Sequence, residues 1–281
     1  MNYSLHLSLK LCRHAAHYYT FFTFFCLRVT RAIQTGDTSS LEQLLLDHSG
    51  LAKTRILERN PQNKGACSTV SRTLLHIATD WPGHFPNVTK TIRMLTGYGA
   101  EVNAPMLGAN HETPLHWAAS CDDVQALDAL IDAGADIEAS GAVIAGGTPL
   151  DDAVAFAQWN TARRLVERGA LTALWHAAAL GQIDAIKNHF KGKTLPEYYP
   201  WTSGSSSAPS DTVNISFWCA CHGGQQAAAA YLLQQGAELN WAAAWDGSTP
   251  LDTAQRNGFA DLVTWLERQG AKGAGDINRE I

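Results

Sequence analysis

Small and apolar positions return along this chain in a fixed figure. Thr113, Ala118, Leu127 and Leu130 form one copy, Thr148, Ala153, Ala162 and Leu165 a second, and Thr249, Ala254, Val263 and Leu266 a third. Thr73, Ala78, Ile92 and Leu95 form a fourth, with an insertion in the Trp81–Asn87 region. Thr172 with Ala177, and Asn214 with Cys219, are weaker copies. A small residue early in each copy predicts a short helix with one tightly packed face. The later pair, three residues apart, predicts a second helix after a turn.

The punctuation agrees with that reading. A threonine (or asparagine) before a helix accepts a hydrogen bond from a free N–H, and a following proline fits the first helical position. Thr113-Pro114-Leu115-His116, Thr148-Pro149-Leu150-Asp151 and Thr249-Pro250-Leu251-Asp252 have this form, and Thr73-Leu74-Leu75-His76 lacks only the proline. Gly-Ala pairs begin at Gly99, Gly134, Gly169, Gly236 and Gly270, where a glycine suits the left-handed residue that ends a helix. The figure recurs about every 34 residues. One such pair cannot bury its apolar face alone, whereas stacked neighbours can. The pattern therefore predicts an all-α solenoid of stacked helix-turn-helix repeats.

The segments TPLHWAA (113–119), GADIEA (134–139) and GAEVNA (99–104) resemble the ankyrin repeat, in the form of the stand-alone arrays found in bacteria. The resemblance covers 29–272 as about seven repeats, the first a degenerate cap over 29–58. It implies short β-hairpin or loop fingers between helix pairs. It also implies that His76 and His116 tie adjacent repeats together by hydrogen bonds. His176 falls one position late for that role.

Three segments stand outside the register. Residues 1–28 are a hydrophobic lead-in, read as an extra helix, a disordered stretch or an over-extended gene start. Its apolar run is too short to span a membrane, and no small-residue cleavage site follows it. Residues 191–213 contain a Gly/Ser/Pro stretch and read as a loop inserted into the solenoid. Residues 273–281 have no repeat register and are expected to fray.

Among 281 residues, 17% are charged and the net charge is −5, which argues against broad nucleic-acid binding. The six cysteines show no CxxC spacing and read as free thiols of a cytoplasmic protein. Cys219 and Cys221 lie two apart, so a helix splays them and they cannot share a zinc ion. The pairs Asp122–Asp123 and Asp151–Asp152 are adjacent, do not face one another, and read as charges near helix starts. No nucleophile elbow, phosphate loop or HExxH motif occurs, so neither a catalytic residue nor a cofactor is predicted. Of the nine tryptophans, Trp117, Trp175, Trp218 and Trp265 read as core, while Trp201, Trp241 and Trp245 fall in loops or fingers.

The resemblance places partner recognition at finger tips and at the seventh and eighth places after each cap. These places hold Asp80 and Trp81, Ser120 and Cys121, Ala155 and Phe156, Ala179 and Leu180, Cys221 and His222, and Arg256 and Asn257. The finger candidates are Asn110, Glu112, Trp245, Asp246 and Ser248. Few are charged, so a mainly apolar, hydrogen-bonding groove is expected. The leading reading is a non-enzymatic scaffold that binds another protein. The alternatives are an inhibitor or immunity-type protein for one cognate partner, or an enzyme with a site in the 191–213 loop.

Overall fold

The computed structural model describes residues 16–59, 69–108, 110–198 and 209–277. The first helix, α1 (Ala16–Thr35), ends at Gly36, whose φ of 67° turns the chain into α2 (Thr38–Asp47). Asp37 caps α2 by accepting the Ser40 N–H at 3.0 Å. Val29, Ala32 and Ile33 of α1 are buried with Leu41, Leu44 and Leu45 of α2. The helix therefore crosses the boundary drawn at residue 28 and brings its last two turns into the core.

An antiparallel hairpin follows, β1 (Arg55–Arg59) with β2 (Thr69–Thr73), in register Arg55 to Thr73. Six helix pairs then succeed one another among the described residues. They are α3 (Leu74–Ala78) with α4 (Val88–Gly97), α5 (Pro114–Ser120) with α6 (Val124–Asp132), and α7 (Pro149–Ala155) with α8 (Trp159–Glu167). After them come α9 (Leu174–Ala179) with α10 (Ile183–Gly192), α11 (Pro209–His222) with α12 (Gln226–Gln234), and α13 (Pro250–Arg256) with α14 (Ala260–Arg268). The fold is the all-α solenoid that the pattern predicts. Its apolar spine runs from Val29 to Leu266 through the repeated small and apolar positions.

Local chemistry explains each boundary. Thr73, Thr113, Thr148 and Thr249 sit in extended backbone at their helix starts. Each shares a reciprocal capping box with the residue three places on. Gly99, Gly134, Gly169, Gly236 and Gly270 all have φ between 91° and 98°, the left-handed region that ends the second helices. The insertion after Trp81 is held by Asp123, which accepts the His84 N–H at 2.7 Å. It is also held by Asn87, whose side chain donates to Gly36 O at 2.9 Å.

Two readings of register need correction. Asn214 is not a cap: α11 is longer than the other first helices and holds Asn214 in its interior. Its side chain instead accepts the Glu238 N–H at 2.7 Å and so anchors the next finger. His176 does occupy the site of His76 and His116. The cap of α9 is Ala173, not Thr172, and the Ala173 N–H donates to His176 Nδ1 at 3.1 Å. The offset arises because α9 has six residues where α5, α7 and α13 have seven.

The 191–213 excursion is helical at both ends, since α10 runs to Gly192 and α11 begins at Pro209. Residues 193–198 fold back onto the stack: Leu174 N–H donates to Pro196 O at 3.1 Å, and Leu195 N–H donates to His189 Nδ1 at 3.1 Å. Trp201 and Cys67 lie outside the described residues. At the far end, α15 (Ala274–Ile277) is tied by Ala274 N–H to Asp252 Oδ2 at 2.9 Å, where fraying is expected from the sequence. No helix among the described residues is long and apolar enough to cross a membrane.

Candidate functional site

The C-terminal ends of α7, α11 and α13 converge on one pocket of about 350 Å³. Phe156 and Val154 come from α7 and its cap, Trp218 and His222 from α11, and Arg256 and Asn257 from α13 and its cap. Trp245 and Asp246 of one finger and Ile144 of another complete the wall. Helix α9 lies between α7 and α11 in sequence yet contributes nothing to the lining. Being one residue short, it stops beneath α11, and a Cβ added at Gly223 would stand 1.9 Å from Ala179 O. That close approach lets the end of α11 pass over α9 and meet α7 directly. His222 Nε2 then donates to Val154 O at 3.0 Å, across 68 residues of sequence.

The electrostatics of the pocket follow from that contact. A carbonyl only accepts, so the His222 proton is on Nε2 and Nδ1 is an acceptor. Asn257 Nδ2 donates to Nδ1 at 2.8 Å and to His222 O at 2.8 Å. Burial pushes the His222 pKa down to about 4, so the ring is neutral at pH 7. Trp218 stacks on it with centroids 5.2 Å apart, and Trp245 meets Trp218 edge-on at 5.1 Å. The Arg256 guanidinium lies 6.0 Å above Trp218 and pairs with Asp246 at 3.2 Å. Burial acts against the charge of Asp246, but hydrogen bonds from Ser248 and Arg256 hold its pKa below the usual range.

Of the residues predicted from sequence, the structure brings together Ala155, Phe156, His222, Trp245, Asp246, Arg256 and Asn257. Ser248 stands behind them, accepting from Trp218 Nε1 at 3.2 Å and donating to Asp246 at 2.6 Å. The others do not join this group. Trp81 is 81% exposed beside Asp80, which is engaged by Arg72 at 2.7 Å. Asn110 is exposed, while Ser120 and Leu180 are half-buried. Glu112 is buried, and its carbonyl receives His76 Nε2 at 3.0 Å. It directly precedes the Thr113 cap of α5 and serves as an inter-repeat tie and not a finger-tip contact, its carbonyl also accepting the Met106 N–H at 2.7 Å. Trp241 and Trp245 are half-buried and in mutual contact at 5.8 Å, so both also pack the finger.

Sequence reasoning missed Trp218 and Ile144. Trp218 occupies a core position, and only the overlap of α11 on α7 opens one side of it to the groove. Cys219 is buried, as its place in the copy predicts, whereas Cys221, counted among the recognition places, is buried too. The two belong to different apolar clusters, and burial raises both thiols above their usual range.

A second polar cluster lies inside the stack. Asp151 Oδ1 faces His176 Nε2 at 2.9 Å and receives the Tyr198 hydroxyl at 3.1 Å, and Oδ2 accepts the Thr148 N–H at 2.6 Å. Burial opposes the Asp151 charge, yet hydrogen bonding from His176, Thr148 and Tyr198 outweighs it and holds the carboxyl below its ordinary pKa. Beside it, burial and then the charge of Glu112 push Asp152 up to about 7. All three groups around Asp151 are committed to holding the repeats, which leaves none poised toward solvent. No set of three metal-ligating side chains occurs among the described residues.

The ankyrin repeat family model matches residues 110–142. Human Rabankyrin-5 is 31% identical over 208 residues, which cover 62% of this chain and 18% of that protein. The chain thus spans about a fifth of the length of this curated relative. The crystal structure of the human ASB11 ankyrin repeat domain covers 85% of this chain and 96% of its own, at 16% identity and a TM-score of 0.47.

Proposed function

We propose that this chain, an ankyrin repeat protein, is a non-enzymatic scaffold that captures another protein on the face holding the α7–α11–α13 pocket. Ankyrin repeats generally mediate protein–protein interaction, and linear stacking presents a long rigid surface that needs no cofactor. The observation that carries the reading is Phe156. It is 43% exposed at the lip of a pocket that also holds Trp218, His222 and Trp245, on the end of a first helix where a partner would be met.

The described part of the 193–198 segment gives no support to an enzyme site there. Lys193 and His189 both engage Glu197, at 2.8 and 3.0 Å, and Tyr198 is bound to Asp151. A photo-reactive amino acid placed at Phe156 should give a discrete cross-linked adduct in cells, and the same probe at Arg163, exposed on α8, should give none. Equal adducts at both positions, or none at Phe156, would remove this face from consideration.

A further inference from the structure

The hydrogen-bonding capacity of the pocket is unevenly spent. Asp246 uses Oδ1 for the Ser248 N–H and hydroxyl, at 3.0 and 2.6 Å, and Oδ2 for Arg256. His222 has both ring nitrogens committed, and the Asn257 amide donates to it twice. Arg256 differs. It is half exposed, and among the described residues only two of its five N–H groups have hydrogen-bond partners, Asp246 Oδ2 and Thr253 Oγ1, each at 3.2 Å. It is the one cation among the lining residues. The remaining lining, Trp218, Phe156 and Ile144 among it, is apolar.

Resting on the groove reading above, we propose that the pocket takes one bulky apolar or aromatic side chain of a partner peptide whose neighbouring residue carries a carboxylate, bound by Arg256. A volume of about 350 Å³ is near the low end of the ~300–1,000 Å³ range of ligand sites, room for one large side chain and not for a folded segment. The Trp218 face below and Phe156 at the lip supply apolar contact, and the unspent Arg256 donors match a carboxylate fork. A basic neighbour would meet Arg256 and find Asp246 with both oxygens occupied. A nucleic acid fits poorly, since it needs several cations. The pocket has one, already beside a carboxylate, in a chain of net charge −5.

The test is selection of a displayed random-peptide library on the full chain, followed by affinity measurement of the winning peptides. Winners should pair Trp, Phe or Leu with an adjacent Asp or Glu. Arg256→Gln and Phe156→Ala should each weaken binding about tenfold, or about 1.4 kcal/mol, with an unchanged melting curve. Changing the peptide carboxylate to its amide should cost wild type about tenfold and Arg256→Gln almost nothing. Winners rich in Lys or Arg, winners indifferent to Arg256→Gln, tighter binding of single-stranded RNA oligomers, or no winner at all would overturn the inference. Winners sensitive to Phe156→Ala but indifferent to their own carboxylate would sink this inference and leave the groove reading standing. Winners indifferent to both substitutions would sink both.

Discussion

In the first half of the stack the histidines of α3 and α5 donate forward to the next finger, whereas in the second half His176, Tyr198 and His222 donate backward. In the first half, His76 and His116 accept their own cap N–H on Nδ1 and donate from Nε2 to Glu112 O and Gly147 O of the following finger, at 3.0 and 3.3 Å. In the second half the equivalent positions of α7 and α13 hold Asp151 and Asp252, while α9 keeps a histidine, His176. An ionised carboxylate can cap a helix but has no proton to send onward. The donor must then come from the next element: His176 and Tyr198 point back at Asp151, Ala274 N–H at Asp252, and His222 reaches back to Val154. At Asp151 and Asp252 the donation is reversed, although Thr249 Oγ1 still donates forward to Lys272 O at 2.9 Å. The backward bond from His222 to Val154 is the one of these that lies at the aromatic pocket.

Acidification should produce the largest effect, and it acts on both halves. Burial holds His76, His116 and His222 at about 4, against an ordinary value near 6.5. The unfolded chain takes up protons first, so their stabilisation is complete above pH 6.5 and is lost as pH falls toward 4. By pH 5 the loss is roughly 2 kcal/mol per ring. Asp152, raised to about 7, opposes this: its contribution is present at low pH and is lost as pH rises through 7. The midpoint of urea unfolding should therefore fall between pH 7 and pH 5, and fall more steeply in Asp152→Asn. A flat profile would mean that the rings are not buried neutral donors.

Gly223→Ala strikes the second half at its tightest point, where the new methyl would meet backbone at Ala179 O. It should cost about 3 kcal/mol or more by denaturant unfolding. Gly134→Ala, with φ 92° but open space around it, should cost only about 1 kcal/mol of backbone strain. Similar costs at the two sites would show that α11 does not press on α9.

His116→Leu leaves Gly147 O and Thr113 N–H without their partner and should cost about 2 kcal/mol. Amide exchange would localise the loss to the 141–147 finger. Tyr198→Phe removes one of the donors on Asp151 and should cost about 1 kcal/mol, with faster exchange confined to α9. Exchange spread over the whole chain would contradict a local tie. Smallest of all, Phe156→Ala should change stability by less than about 0.5 kcal/mol, because an exposed side chain leaves no cavity. A larger loss in thermal melting would make Phe156 a packing residue and weaken its standing as a contact.

Much of the repeat architecture can be read directly from the chain. Thr113-Pro114 and Gly134 mark where a helix starts and ends because cap hydrogen bonds and positive φ are local requirements. Leu127 with Leu130 marks a buried face because helical spacing is local too. The candidate site is legible only in part. Phe156, Arg256 and Asn257 are found by counting from caps, since those places end the first helices, while His222 is reached from Asn214, which lies inside α11. Glu112, offered as a finger contact, is instead buried beside the Thr113 cap, which its place in the finger does not reveal.

Sequence alone determined the helix pairs, their period and the stacked spine, since each depends on residues within one repeat or its neighbour. Tertiary structure alone decided that α9, one residue short, lets His222 meet Val154 two repeats away and leaves Trp218 open on one side. A missing residue shows in a sequence as a slipped count. What that slip brings into contact depends on how three helices pack at once, and no local rule contains that.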